Sequence, residues 1–452
     1  MAMYDLIIRN GSIVTADSVV QGDIAIKDGK IKEVSIGNKI EATASKEINA
    51  EGQHILPGLI DTHVHFNEPG RTEWEGVETG SRSLAAGGVT TYFDMPLNST
   101  PPTINKENLA LKRAASEEKS IVNYRFWGGL VPENIADIKE LHDNGVIGFK
   151  AFMSPSGIAD FNHVDDVTIF KGMNEIASVG SLLAVHAEST VICDQLAEEK
   201  QRQGKTSAQD FVDSRPIISE IEAVRRIISY AEATGCQLHV VHASSRKVVE
   251  VINEAKQRGV NITVETCPHY LSLTVQDLEE QGGVAKCCPP LRDEQEVEDL
   301  WTAVSTGEID VIASDHSPAP PAMKKVQNGD YFNAWGGISG AQSTLNILLT
   351  EGHFKRNLPL EKIVALTATN PSKLFGLYPA KGTIAVASDA DLTIVDLNEH
   401  FVLEKADLFY RHKQSPYVGK TFKGKVLTTI VNGDVVFDNG NHPVSKEMEI
   451  NA

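Results

Sequence analysis

The chain has 452 residues, 41% of them hydrophobic, and a formal net charge of −19. That length suits a large barrel with an appendage, and so apolar a chain does not read as disordered. The acidic surface repels phosphate backbones and anionic lipid, which argues against nucleic-acid and membrane partners.

In chain order, the first segment reads as a small antiparallel β unit. Leu6–Ile8, Gly11–Val14, Asp23–Ile26 and Lys30–Val34 are short β-rich runs, and Asn10-Gly11 and Asp28-Gly29 are tight-turn signals between them. The middle, residues 57–375, changes rhythm. Leu182–His186, Gln237–His242, Val260–Glu265 and Asp310–Asp315 are apolar runs ending on polar residues, and helical patterns lie at Ile218–Thr234 and Ser245–Arg258. Strands alternating with helices over this length predict a (β/α)8 TIM-type barrel. The far end returns to strands at Asp391–Val395, Val426–Val431 and Val435–Phe437, with Asn432-Gly433 as a turn. Residues 1–56 and 376–452 are therefore expected to form one discontinuous β domain, a small sandwich, around a barrel at 57–375.

Cys193, Cys236, Cys267, Cys287 and Cys288 are odd in number and contain no CxxC pair, which points to a reducing compartment. Residues 1–20 carry Asp5, Arg9 and Asp17 and lack the unbroken apolar stretch of a signal peptide. The expectation is a cytoplasmic protein.

The sharpest local signal is Gly58-Leu59-Ile60-Asp61-Thr62-His63-Val64-His65. Side chains two apart on a strand share a face, so His63 and His65 project together and offer two imidazoles to a divalent cation. His186, His242 and Asp315 each end an apolar run, where a barrel places its active site. Lys150 also ends such a run. Its ammonium would be repelled by cations, and its position alone favours an ordinary lysine at a loop mouth. Asn98 reads equally as a substrate contact or a turn cap, and Trp335-Gly336-Gly337 as a close backbone approach or a plain turn. Cys287 and Cys288 lack the His and Asp partners of a nucleophile and read as packing. His316 points away from Asp315 along the strand, His269 reads as structural or site-lining, and Arg71 lies beside the motif loop, near substrate or Glu68.

Several segments together resemble the cyclic amidohydrolases of the amidohydrolase superfamily. These are Pro57–His65, Glu68-Pro69-Gly70, Ala86–Thr91, Gly148-Phe149-Lys150, Ser314-Asp315-His316, Thr369-Asn370-Pro371 and Lys381–Ile384. The resemblance covers nearly the whole chain. It implies a barrel with a β-sandwich from both termini and two divalent metals, zinc first, with Mn, Co, Fe or Ni as substitutes. It implies that His63, His65 and Asp315 hold one metal and His186 and His242 the other. Lys150, carboxylated by carbon dioxide, and a hydroxide would bridge the pair. Asp315 would also act as general base and then general acid. Backbone groups near Cys288, Trp335 and Gly336 would contact substrate, and relatives commonly form tetramers.

Within the family the chain is most similar to allantoinases. Asn67 stands where dihydroorotases carry an arginine for a substrate carboxylate. Met95-Pro96-Leu97-Asn98 and the tail Tyr410–Tyr417 resemble allantoinase segments. The stretch after Lys150 lacks the tyrosine of dihydropyrimidinases and hydantoinases. The implied reaction is ring opening of allantoin to allantoate. A dihydropyrimidinase or hydantoinase activity is the alternative, with dihydroorotase or a metal-free scaffold behind it.

Overall fold

The computed structural model describes residues 3–439. The β-branched runs at both ends form strands: β1 (Tyr4–Val14), β2 (Val19–Lys27), β3 (Lys30–Ile36), β4 (Ala44–Asn49) and β5 (His54–Pro57). The barrel follows with β6 (Leu59–Val64), β7 (Val89–Asp94), β8 (Asn123–Phe126), β9 (Gly128–Gly129), β10 (Phe149–Phe152), β11 (Leu182–His186), β12 (Gln237–Val240), β13 (Ile262–Thr266) and β14 (Val311–Ile312). The chain returns to the terminal region with β15 (Leu392–Val402), β16 (Thr421–Val431) and β17 (Asp434–Asp438).

Both termini build one β-rich region, because β5 pairs with β1 on one side and β15 on the other. Its strand order is β17-β16-β15-β5-β1-β2-β3, with β4 also paired to β1. Leu6, Ile8, Ile24, Ile55, Leu392, Ile394 and Ile430 form its buried core. Two turn expectations hold: Asp28-Gly29 and Asn432-Gly433 take the paired positive φ values of tight hairpins (52° and 70°, 50° and 83°). Asn10-Gly11 does not turn. Asn10 has φ 60°, but β1 runs straight through it, and the pairing with β2 shifts register between Ile8 and Gly11. The extra residue is absorbed as a bulge, because the strand continues to partners on both flanks.

The barrel closes in two arcs. The order β14-β13-β12-β11-β10-β9 is parallel throughout, as is β6-β7-β8. β8 and β9 are one strand interrupted at Trp127, whose indole donates to the Thr62 carbonyl at 3.0 Å. The ring shuts where the Val64 segment bridges His316 and the His65 amide donates to the His316 carbonyl at 2.8 Å. The predicted helices appear at Ile217–Thr234 and Arg246–Gln257. Their buried faces, including Val224, Ile227, Val249 and Ile252, join the main core around the barrel.

Candidate metal centre

The strand ends bring four imidazoles into a row. Ring centroids lie 5.4 Å apart for His63 and His65, 5.6 Å for His63 and His242, and 4.6 Å for His242 and His186. Asp315 caps one end, its carboxylate 3.2 Å from His63 Nε2 and 3.4 Å from His65 Nε2. His63, His65 and Asp315 present their ligand atoms within 4.8 Å of one another. At the other end His186 Nδ1 lies 3.0 Å from His242 Nε2. Burial lowers the basicity of His65, His186 and His242, which favours the neutral imidazole a cation needs. Burial opposes ionisation of Asp315, but His63 and His65 beside it bring its pKa down to about 2.

Lys150 lies beneath this row on β10, with no exposed surface and no hydrogen-bond partner for its Nζ. Its Nζ lies 5.1 Å from the centroid of the Phe152 ring, and that ring stacks on His186 at 4.7 Å. Burial pushes the amine down to about 8, against the pull of Asp315 and Glu265. A buried amine without a partner is costly as an ammonium, so the neutral, nucleophilic form is reached at lower pH here than for an ordinary lysine. The donor set therefore fits a cation pair, and the orphan amine fits the anionic carbamate that would join it.

Two carboxylates hold rings of the row, and a third lies near His316. Glu265, at the end of β13, accepts from His63 Nδ1 at 2.8 Å and from the Thr62 hydroxyl at 3.0 Å. Although burial raises it, His63 and His239 hold its carboxyl below the usual range. Glu188 contacts His186 Nε2 at 2.7 Å and is itself gripped by the Arg215 guanidinium. Glu75 lies 3.8 Å from His316 Nε2, and the other nitrogen of His316 accepts the Gly340 amide, so His316 faces away from the row. Sequence reasoning named neither Glu265 nor Glu188 as functional. The signal was there, since Glu265 ends an apolar run and Glu188 follows His186 by two residues. His242 and Asp315 both adopt positive φ (41° and 45°), a strained backbone that aims their side chains into the site.

Above the row opens a cavity of about 480 Å³. His63, His65, His186, His242 and Asp315 line its floor, and Asn98, Cys288, Trp335 and Gly336 line its walls. Asn98 contributes its carbonyl to Arg71 at 3.0 Å. Arg71 also pairs with Asp160 rather than Glu68, which takes Lys119 instead. His269 is not among the cavity-lining residues; it is buried with Cys267 beside Asp315.

The profile of the amidohydrolase family matches residues 54–436. An allantoinase of Solibacter usitatus is 50% identical, covering 97% of this chain and 94% of that protein. An allantoinase of Deinococcus radiodurans is 46% identical over 96% of each. The L-hydantoinase (dihydropyrimidinase) of Arthrobacter aurescens superposes with a TM-score of 0.94 at 35% identity, over 98% of both chains.

Proposed function

The chain belongs to the amidohydrolase family, and we propose that it is a metal-dependent cyclic-amide hydrolase that opens the ring of allantoin to give allantoate. The observation that carries the reaction is the meeting of four imidazoles and Asp315 over a buried, partnerless Lys150 amine. The substrate rests on the allantoinase relatives, which match nearly the whole chain at 42–50% identity.

Two divalent cations, zinc foremost and Mn, Co, Fe or Ni as substitutes, would supply Lewis acidity that activates a water near neutral pH. His63, His65 and Asp315 would hold one, and His186 and His242 the other. Lys150, once its neutral amine has added to carbon dioxide, would contribute an anionic carbamate to both. Asp315, ionised at neutral pH, takes a proton from the attacking water and delivers it to the ring nitrogen as the carbon–nitrogen bond breaks. The backbones of Cys288, Trp335 and Gly336, with Asn98 opposite, would read the ureide.

Among the described residues, the cavity lining offers no free guanidinium to a substrate carboxylate. Arg215 is spent on Glu188, and Asn67 brings no charge. This disfavours dihydroorotate. We further place the domain boundaries at residues 57 and 375, and read the protein as a cytoplasmic homotetramer without nucleic-acid or membrane partners. No helix among the described residues is long and apolar enough to cross a membrane. The test is incubation with allantoin, hydantoin, dihydrouracil and dihydroorotate. Turnover of allantoin above the others supports the proposal, and dihydrouracil opened with allantoin left intact overturns it.

A further inference from the structure

Two lysines at the cavity, Lys286 in its lining and Lys324 behind it, have no carboxylate partner among the described residues. Lys324 and Lys286 are only 5% and 4% exposed. An ammonium offers three donors and accepts nothing. Lys324 Nζ spends its three on main-chain carbonyls: Lys286 at 3.3 Å, Trp335 at 2.9 Å, and Gly337. Lys286 Nζ donates to the Ala334 and Phe332 carbonyls and sits 4.4 Å from the centroid of the Phe211 ring. The backbone completes the tie, with Gly337 N–H on the Lys286 carbonyl at 2.7 Å and Trp335 N–H on the Met323 carbonyl at 2.8 Å.

Every carbonyl held by the two lysine side chains belongs to one of two segments, 286–288 and 332–337, that form one wall of the cavity. They approach closely: a Cβ on Gly336 would lie 3.3 Å from Cys288 Sγ, and one on Gly337 would meet the Ser317 carbonyl at 2.3 Å. Between the tethered carbonyls, the amide and carbonyl of Cys288 and of Gly336 have no hydrogen-bond partner among the described residues. Burying two cations without counter-ions is expensive. Main-chain carbonyls fix them, and they in turn fix the direction of the neighbouring free peptide groups.

We propose that Lys324 and Lys286 are positioning residues that aim the unpaired backbone groups of Cys288 and Gly336 at the alternating N–H and C=O edge of a cyclic ureide. This rests on the proposed hydrolysis of such a ring. Among the described residues neither lysine is hydrogen-bonded to a candidate metal ligand, so removing either is expected to weaken binding of substrate and transition state alike, which raises KM and spares kcat.

The experiment is steady-state kinetics of metal-loaded Lys324→Met and Lys286→Gln with allantoin, alongside metal content and melting temperature. Loss of one or two backbone contacts predicts a KM raised about tenfold in Lys324→Met, with kcat within about threefold and metal content unchanged. Lys286→Gln, which keeps an N–H for the Ala334 carbonyl, is expected to show a smaller rise of about threefold. Native KM in both folded variants overturns the proposal, as does a fall in kcat at constant KM. Failure of both to fold makes the pair a stability device and also overturns it. Native protein is the control. If it leaves allantoin intact, the proposed substrate fails, and the variants are read on whichever ring the native protein opens.

Discussion

His186 Nδ1 and His242 Nε2 face each other at 3.0 Å, while the opposite nitrogen of His186 rests on Glu188. Burial favours the neutral form of both rings, and a carboxylate can only accept, so Glu188 keeps the His186 proton on Nε2 and turns Nδ1 toward His242 as a free donor atom for a cation.

Glu188 is therefore expected to orient His186 for metal. Replacing such a partner of a ligating histidine costs about 10–100-fold in affinity. Glu188→Gln, dialysed against a graded chelator series and assayed for bound zinc, is expected to lose the metal at His186 and His242 first. Unchanged retention of both metals contradicts this role.

Lys150 predicts a pH dependence of reconstitution. Carbamate forms from the neutral amine and releases a proton. Burial lowers this amine from its ordinary value of 10.5 to about 8, so the reactive fraction grows as pH rises through about 8 and levels off above it. Metal-free protein given zinc at constant dissolved carbon dioxide should regain activity faster along that curve. A rate that is flat between about pH 6.5 and 9 contradicts it. Lys150→Ala is expected to stay inactive under all these conditions.

For Asp315 the prediction concerns the proton. Asp315→Asn keeps an oxygen for a cation but removes the base. Turnover is expected to fall by about 10²–10⁴ with metal content preserved. A fall of less than tenfold in the metal-loaded variant rules the proton role out.

A structural prediction lies one layer out. Lys112 Nζ pairs with Asp94 at 2.9 Å, both nearly inaccessible, and Asp94 also accepts the Phe66 amide at 2.9 Å just past His65. Lys112→Met strands that carboxylate. Urea denaturation should show a loss of about 3–5 kcal/mol. Native stability contradicts this.

Much of the site was legible because a barrel concentrates chemistry at strand ends. His63, His65, His186, His242 and Asp315 each close an apolar run, and all five meet at one floor. The reason for a lysine among them was not readable from spacing. Only the fold shows that Lys150 is buried without a partner. Glu265 and Glu188 were visible as residues but not as partners, because their histidines are chosen by side-chain direction across the barrel. The lysine pair at 286 and 324 carries no sequence signal at all, since its acceptors are main-chain carbonyls. Asn10-Gly11 failed as a turn for a related reason. A local signal was overridden by partners on both flanks of β1, two of them contributed by residues more than thirty positions later.

The most direct test is a titration of chelator-stripped, bicarbonate-treated protein with zinc, following allantoin hydrolysis at each addition. The account predicts no turnover without metal and an activity that climbs to a break at two equivalents per chain. Full activity in the stripped protein, or turnover that saturates with no metal bound at the histidine row, would contradict it.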